Sequence, residues 1–279
     1  MDRLFSEHGS LYQEPWKDRV VPTNITTRIS VNDCDISLMR GGDGPPILFL
    51  HGAGGAGVWL PFMERLAEHH EVIVPDHPGY GHSDTPDWLD ELTDLAFFYL
   101  DFLEAMGLSG VHVVGSSLGG WVGAEMAIRD SSRLASLTLV NAAGIHVDGA
   151  PKGDLFLWTP EERVRNLFHD PAIAEARLAI EPTEEEADIG LKNEFTTAKL
   201  AWSPRFYNPQ LRKWVHRIKL PTLIVWGDDD RIFPAEYAAA WHELIPGSRM
   251  EIFPDCGHLP HVEKSDAFVD IFNRFVAEI

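Results

Sequence analysis

Residues 110–121, GVHVVGSSLGGW, decide the fold of this chain. An apolar, β-branched run is followed by a glycine-framed turn, and then by small residues that can open a helix. The pattern G-x-S-x-G falls on Gly115, Ser117 and Gly119. A serine held on so tight a strand-to-helix turn leaves no room for a Cβ two residues to either side. We therefore predict a strand, a sharp turn and a helix, with Ser117 presented as a nucleophile.

The composition limits the class of protein and of partner. The chain has 279 residues, of which 44% are hydrophobic, which is enough for a large buried core. Its net charge of −20 disfavours nucleic acid and anionic membranes as partners, because both repel an acidic surface. Cys34 and Cys256 lie far apart in sequence and form no C-x-x-C pair. A small-molecule substrate is the partner that remains.

The N-terminus predicts where the protein resides. Residues 1–16, MDRLFSEHGSLYQEPW, carry charge throughout and lack the apolar centre of a signal peptide. No later apolar run is long enough to span a bilayer. We therefore expect a cytoplasmic protein. The oligomeric state stays open, with a homodimer as one alternative.

Strands and helices alternate along most of the chain. After two strands around the turn-prone Asn32-Asp33, compact apolar runs alternate with helical patterns, which is typical of a mostly parallel sheet covered by helices on both faces. The predicted strands are 25–31, 35–40, 47–50, 71–76, 111–114, 134–141, 221–227 and 248–254. The predicted helices include 58–70, 92–106, 120–130, 234–244 and a last one that buries Phe268, Phe272, Phe275 and Ile279.

The alternation of strands and helices stops between Gly144 and Leu220. The span lacks a convincing strand, carries a helix-start pattern at 159–162, and has an acidic run at 181–188 that indicates a solvated helix start. It is also rich in aromatic residues, namely Phe156, Trp158, Phe168, Phe195, Trp202, Phe206, Tyr207 and Trp214. We interpret it as a helical insertion that encloses an apolar chamber above Ser117.

A glycine-rich loop, HGAGGAG at 51–57, follows a predicted strand. Its glycines allow backbone N–H groups to face an anion or oxyanion. A phosphate-binding P-loop would need a Lys-Ser/Thr ending, which is absent. A dinucleotide-binding fingerprint fits only loosely, with Gly52, Gly54 and Gly57 as its glycines.

Candidates for the base and the acid also follow strands. A serine hydroxyl needs a base to activate it, and the base needs an acid to orient it. Asp230 lies in WGDDDRIFP after one strand, and His258 lies in DCGHLPHVE after the next. The chain order serine, aspartate, histidine is that of the α/β-hydrolases.

With these motifs, the chain resembles the α/β-hydrolase superfamily over nearly its whole length, within the group that bears a helical cap. The matching segments are 51–54, 76–84, 115–120, G-x-x-D-x-x-x-P at 227–234, and 257–263. The resemblance implies an α/β fold, with a mostly parallel eight-stranded sheet and a cap inserted after strand 6. It implies a core domain of residues 1–144 and 218–279 and a cap of 145–217.

The same resemblance assigns roles to residues. The G-x-x-D-x-x-x-P register selects Asp230 rather than Asp228 or Asp229 as the acid of a Ser117–Asp230–His258 triad. The oxyanion hole would use the backbone N–H groups of Ala53 and Leu118. His51 resembles the structural histidine that braces this loop. No cofactor is implied, and no metal is expected at the histidine pairs 69–70 and 258/261, since no carboxylate pattern accompanies them.

Three functions remain in competition. The leading hypothesis is a serine esterase that cleaves small to medium, largely apolar carboxylic esters through an acyl-enzyme. The second is a carbon–carbon bond hydrolase of aromatic ring-cleavage products, which HGAGGAGVW and GSSLGGW resemble, although that branch commonly has Asn in place of Ser116 and Trp in place of Leu259. The third is a ligand receptor built on the same fold.

Overall fold

The computed structural model describes residues 25–279, so residues 1–24, on which the predicted location depends, lie outside the described part. The described chain forms an α/β structure around one sheet of eight strands. In chain order the strands are β1 (Ile25–Val31), β2 (Cys34–Gly41), β3 (Pro46–Leu50), β4 (Glu71–Pro75), β5 (Val111–Ser116), β6 (Leu134–Val140), β7 (Thr222–Gly227) and β8 (Arg249–Phe253).

The sheet is mostly parallel, as predicted. Its spatial order is β1-β2-β4-β3-β5-β6-β7-β8. Strand β2 pairs antiparallel with β1 and with β4, and every pairing from β4 to β8 is parallel. The β1–β2 hairpin turns at Asn32 and Asp33, which have positive φ angles of 51° and 57°. Asn and Asp tolerate that conformation better than other side chains, which explains the turn prediction.

Helices cover both faces of the sheet. In chain order, the helices of residues 25–279 are α1 (Pro61–Leu66), α2 (Leu92–Ala105), α3 (Leu118–Arg129), α4 (Pro160–Leu167), α5 (Pro171–Leu178), α6 (Glu184–Ala201), α7 (Leu211–Trp214), α8 (Glu236–Leu244), α9 (Pro260–Glu263) and α10 (Ser265–Ala277), and those that cover the sheet are α1, α2, α3, α8 and α10. A short 3-10 turn follows α7 at Val215–Arg217.

Two apolar cores separate cleanly across the sheet. Adjacent residues of a strand face opposite sides, so Val113 packs in one core and Val114 in the other. The first core takes buried residues of α2, α3 and α8, and the second takes those of α1 and α10. Strand β5 is buried along its whole length, which places the turn that follows it at the centre of the molecule.

Three sequence predictions need correction. Helix α1 covers only Pro61–Leu66 rather than 58–70, because a proline fixes φ and lacks an N–H and so begins the helix at its first position. Helix α8 begins at Glu236 rather than at residue 234. Ile279 lies beyond α10 and is 53% exposed, so it is not part of that helix's buried face.

Helices α4–α7 lie in the insertion between β6 and β7, as the sequence predicted. Thr159 and Thr183 cap α4 and α6, and each forms a reciprocal capping box with a glutamate three residues later. The domain boundaries at 144/145 and 217/218 stay a prediction; residues 145–217 are called the cap segment below. Within residues 25–279, no helix combines the length and apolarity needed to cross a membrane.

The aromatic residues of the cap segment do not all face inward. Phe168 and Phe206 are buried, while Phe156, Trp158 and Tyr207 are half-buried. Phe195, Trp202 and Trp214 are exposed. The expected chamber wall therefore rests on fewer rings than the sequence implied.

Candidate active site

Ser117 occupies a strained turn between β5 and α3. Its backbone has φ 54° and ψ −115°, a conformation that non-glycine residues rarely adopt and that costs on the order of 1–3 kcal/mol. A Cβ at Gly115 or Gly119 would collide with neighbouring backbone, and one at Gly120 would lie 2.5 Å from the Cβ of Ala142. The glycines of the motif are therefore required by close packing around the turn.

Asp230 and His258 come together from successive loops. Asp230 follows β7 and His258 follows β8, and the His258 Nδ1 lies 2.9 Å from the Asp230 Oδ2. The other carboxylate oxygen of Asp230 accepts hydrogen bonds from the backbone N–H groups of Ile232, at 2.8 Å, and Phe233, at 3.1 Å. Both side chains are almost fully buried. The carboxylate is thus fixed and aimed at one nitrogen of the imidazole.

The two neighbouring aspartates point elsewhere. An oxygen of Asp228 accepts a hydrogen bond from the Cys256 N–H at 3.3 Å. Asp229 pairs with the His169 Nδ1 at 3.0 Å and with Arg231 at 2.7 Å. In the run of three aspartates, Asp230 is therefore the one that contacts His258.

Asn141 is a residue of this site that sequence reasoning missed. It directly follows β6, is fully buried, and donates from Nδ2 to the same Asp230 oxygen that faces the histidine, at 2.5 Å. Its φ of 45° is positive, a conformation that asparagine adopts more readily than most residues. The only sequence signal was a polar residue at the carboxyl end of a buried strand.

Ser117 adjoins this group through the backbone. Its N–H donates to the Val140 carbonyl at 2.8 Å, and its carbonyl accepts from the Ala143 N–H at 3.0 Å. Val140 and Ala143 flank the Asn141–Ala142 pair, of which Asn141 contacts Asp230. Ser117 is only 4% exposed and His258 only 2%. Within residues 25–279, however, no hydrogen bond joins the Ser117 hydroxyl to His258. Hydrogen bonds between catalytic groups are often long without substrate and shorten only when substrate binds.

The predicted oxyanion-hole residues, Ala53 and Leu118, belong to two segments next to Ser117. Leu118 is the first residue of α3, and the first N–H groups of a helix have no partner within it. Strand β3 pairs with β5 at Leu50 and Gly115. The loop that follows β3 and contains Ala53 therefore begins beside the end of β5, where Ser117 lies. A Cβ at Gly52 would lie 3.2 Å from the Cβ of Ser117. The loop thus lies against the Ser117 turn, while an oxyanion hole formed by the Ala53 and Leu118 N–H groups stays a prediction.

His51 braces this loop rather than facing the serine. Its Nδ1 donates to the Gly52 carbonyl at 2.7 Å, and its Nε2 accepts the His77 N–H at 3.0 Å. The His77 ring stacks on it at 3.7 Å between centroids, and the His77 Nε2 donates back to the His51 carbonyl at 3.0 Å. Burial lowers the pKa of both imidazoles below the usual histidine value, so both are neutral.

Glu263 and Leu167 position the loop that carries His258. The Glu263 carboxylate accepts from the N–H groups of Gly257, at 2.8 Å, and His169, at 2.9 Å. Burial raises the pKa of Glu263. The His258 N–H donates to the carbonyl of Leu167, the last residue of α4, at 2.8 Å. The cap segment therefore contacts the histidine loop directly.

Comparison with known proteins places this chain in a family. The model of the alpha/beta hydrolase family matches residues 47–271. The chain belongs to the alpha/beta hydrolase family. It is accordingly an enzyme of the hydrolase class.

Two curated relatives and one solved structure are similar to this alpha/beta hydrolase. Lipase 1 of Psychrobacter immobilis is 29% identical over 83% of this chain and 77% of its own length. A 2-hydroxy-6-oxo-6-(2'-aminophenyl)hexa-2,4-dienoic acid hydrolase of Metapseudomonas resinovorans is 28% identical over 89% of this chain and 90% of its own. The crystal structure of a bacterial membrane phospholipase A, described as a virulence factor, matches with a TM-score of 0.78 and 25% identity over 92% of this chain and 86% of its own.

Proposed function

We propose that this alpha/beta hydrolase is a serine esterase that cleaves small to medium, largely apolar carboxylic esters. The observation that carries the proposal is the buried His258–Asp230 pair, joined at 2.9 Å, in the loops after β7 and β8, at the same edge of the parallel sheet as the strained Ser117 turn after β5. A histidine held in one orientation by a carboxylate is suited to accept a proton from a serine hydroxyl. The similarity to Lipase 1 supports ester substrates.

Each residue then has a defined role in the reaction. Ser117 Oγ attacks the ester carbonyl carbon while its proton passes to the Nε2 of His258. Asp230 stabilises the imidazolium through Nδ1, and the oxyanion accepts hydrogen bonds from the N–H groups of Leu118 and Ala53. The intermediate collapses to an acyl-enzyme on Ser117 as His258 protonates the leaving alcohol. Water, deprotonated by His258, then attacks the acyl-enzyme and releases the acid.

Apolar selectivity is supported by the rings beside the histidine. The Phe233 ring lies 5.7 Å from the His258 ring, and Phe206 lies 6.2 Å from Phe233. Phe156 stacks on Phe206 at 5.2 Å. We propose that these rings form the apolar wall of the substrate chamber, and such a wall favours uncharged groups that can be desolvated, at about 0.8 kcal/mol per buried methylene. We therefore expect short and medium alkyl and aryl esters to react and long-chain triglycerides to be excluded.

The decisive experiment is covalent labelling with a fluorophosphonate, mapped by peptide mass spectrometry. We expect modification of Ser117 in the wild type and none in Ser117→Ala, which should also lose turnover while keeping its thermal unfolding midpoint, because the hydroxyl contributes little packing. Labelling elsewhere, or hydrolysis by Ser117→Ala beyond that of a mock preparation, would contradict the nucleophile assignment.

A second candidate function is the hydrolysis of a carbon–carbon bond in a ring-cleavage product. The dienoic acid hydrolase relative favours it. Ser116 and Leu259 depart from the residues common in that branch. Measuring kcat/KM for a coloured dienoate and for nitrophenyl esters on one preparation decides between the two, and a dienoate rate higher by orders of magnitude would favour the second.

The cytoplasmic location stays a prediction, as does the homodimer, which is one alternative for the oligomeric state. Cell fractionation tests the first, and sedimentation of the purified protein tests the second.

A further inference from the structure

Helix α6 turns a polar strip toward the active site. Lys192, Asn193, Thr196 and Thr197 lie on one side of this helix, and the last three are buried. Buried polar side chains are costly unless they are hydrogen-bonded, and these bind the backbone of two loops. One is the oxyanion loop, defined here as residues 51–57, and the other is the loop at residues 76–84.

Three consecutive carbonyl groups of the oxyanion loop each accept a hydrogen bond from a side chain. His51 donates to the Gly52 carbonyl at 2.7 Å, Thr197 to the Ala53 carbonyl at 3.3 Å, and Asn193 to the Gly54 carbonyl at 3.0 Å. The Tyr80 hydroxyl lies 2.9 Å from the Thr197 hydroxyl and completes its hydrogen bonding. The peptide planes on the two sides of Ala53 are thereby held by His51 and Thr197, and Asn193 holds the plane that follows them.

The same helix also holds the loop at 76–84. The Asn193 Oδ1 accepts the Gly81 N–H at 2.9 Å, and Thr196 donates to the Gly79 carbonyl at 2.6 Å. Lys192 donates to the carbonyls of Gly81, at 3.0 Å, and Ser83, at 2.5 Å. Asn193 therefore bridges the two loops, whereas Thr196 binds only this second loop.

Glycines make the close approach of α6 possible. A Cβ at Gly55 would lie 2.6 Å from the Asn193 Nδ2, and one at Gly79 would lie 2.7 Å from the Thr196 Cγ2. Both glycines also have positive φ angles, of 93° and 84°. These glycines thus accommodate side chains of α6 in addition to shaping the loops, which composition alone did not reveal.

We propose that Asn193 and Thr197 are positioning residues for the oxyanion hole, acting through the peptide planes of the oxyanion loop. The inference rests on the proposed function, in which the Ala53 N–H receives the oxyanion. A hydrogen-bond donor lowers the barrier only when it is already aimed at the developing charge. Because the Ala53 N–H belongs to a rigid peptide plane, its direction depends on the contacts that hold the loop.

A matched pair of variants tests this assignment. Thr196→Val and Thr197→Val are neighbouring, isosteric changes at buried positions, and each removes one hydroxyl from the same helix. We expect Thr197→Val to lower kcat about 3-fold and Asn193→Ala on the order of 10-fold, with little change in KM, since removing an oxyanion donor outright costs 10²–10³-fold. Thr196→Val should keep the wild-type kcat.

The readout that separates positioning from simple destabilisation is the ratio of kcat/KM for an ester and its thionoester. A misdirected N–H stabilises an oxyanion less but affects a thiolate-like intermediate weakly, so the ratio should fall in Thr197→Val and Asn193→Ala. A smaller folded fraction lowers both rates equally and leaves the ratio unchanged. Fluorophosphonate titration gives the active fraction of each variant.

The outcomes are distinct. If Thr196→Val and Thr197→Val behave alike, or if the ratio is unchanged in both Thr197→Val and Asn193→Ala while wild-type Ser117 is labelled, the positioning role is wrong and the proposed function stands. If Ser117 of the wild type is not labelled, the proposed function fails and the inference fails with it. Should Asn193→Ala not fold, Thr197→Val, compared with Thr196→Val, carries the same expectation.

Discussion

The proton-transfer half of the candidate site and its oxyanion half are held by different parts of the chain. In the first half, Asp230, His258 and Asn141 all follow strands of the sheet, and Asp230 contacts both of the others directly. From the cap segment, the Leu167 carbonyl accepts a hydrogen bond from the His258 N–H. In the second half, the loop carrying Ala53 is held through its carbonyls by His51 and by two side chains of α6.

This difference determines how each half responds to change. The proton-transfer half is a network of buried side chains, so removing one polar group leaves another unpaired, which is costly. The oxyanion half is a backbone loop held from outside, so a change in the cap segment reaches it through α6. Substitutions in the first half should therefore cause larger losses than those in the second.

The largest expected effect tests whether the proton-transfer half has a single acid. Asp230→Asn should lower kcat by about 10⁴-fold, because an amide neither stabilises the imidazolium nor selects the correct tautomer. Asp228→Asn and Asp229→Asn should each cost less than about 10-fold, since their contacts are with Cys256, His169 and Arg231 rather than with His258. Steady-state kinetics of the three matched variants provides the measurement, and a comparable loss at Asp228 would show that the motif register is shifted.

A smaller effect is expected at Asn141. Asn141→Gly removes the amide that binds the Asp230 carboxylate without straining the positive φ of 45°. We expect kcat to fall by roughly 10-fold or more, because hydrogen bonds to charged groups contribute about 1.5–3 kcal/mol. Asn141→Ala makes the same deletion but adds backbone strain, so it should lose the same activity and have a lower unfolding midpoint.

An unchanged kcat in both Asn141 variants would show that the backbone N–H groups of Ile232 and Phe233 alone hold the Asp230 carboxylate. Equal unfolding midpoints in the two variants would show that the conformation at residue 141 is not strained by a Cβ.

The residues that shape the Ser117 turn and select Asp230 could be predicted from the sequence, whereas Asn141 and Asn193 could not. The glycines around Ser117 and the register that selects Asp230 are local patterns, because the backbone geometry they serve spans only a few residues. Asn141 and Asn193 act on partners 89 and 139 residues away, at Asp230 and Gly54. A single asparagine after a strand or inside a helix carries no local sign of such a contact.

The cap segment shows the same limit on a larger scale. Its helix starts were predictable, because Thr159 and Thr183 pair with glutamates three residues later. Which of its aromatic residues turn inward was not, since Phe195 and Trp202 are exposed while Phe206 is buried. Inward direction depends on how α6 docks on the two loops, and that is a tertiary property.

The smallest expected effect concerns the stability of the fold. It depends on a difference in hydrogen bonding between the buried histidines near the two halves of the site. His51 and His77, behind the oxyanion loop, have hydrogen bonds at both ring nitrogens. His261, just after His258, packs among the rings of Phe49, Phe62 and Phe268, and its Nδ1 has no partner within residues 25–279. Burial, reinforced by the nearby His258, lowers the pKa of His261 to about 3.

The sign of the pH dependence follows from that lowered pKa. Above about pH 6.5, His261 is neutral in both the folded and the unfolded chain and contributes nothing to the pH dependence of stability. Between about 6.5 and the folded pKa of about 3, only the unfolded chain takes up the proton. The free energy of unfolding should therefore fall with decreasing pH across this window, by up to ~1.4 kcal/mol per unit from this one residue.

His261→Phe keeps an aromatic ring in the aromatic pocket but cannot bind a proton. Measured by urea unfolding from pH 4.5 to 8, its free energy of unfolding should fall less steeply below about pH 6.5 than that of the wild type, and the two curves should run parallel above it. His261→Leu, which also lacks the proton site, should show the same shallower slope even if its packing lowers the whole curve. Parallel curves over the entire range would mean that His261 binds its proton equally well in the folded chain, and that burial among the phenylalanines does not keep it neutral.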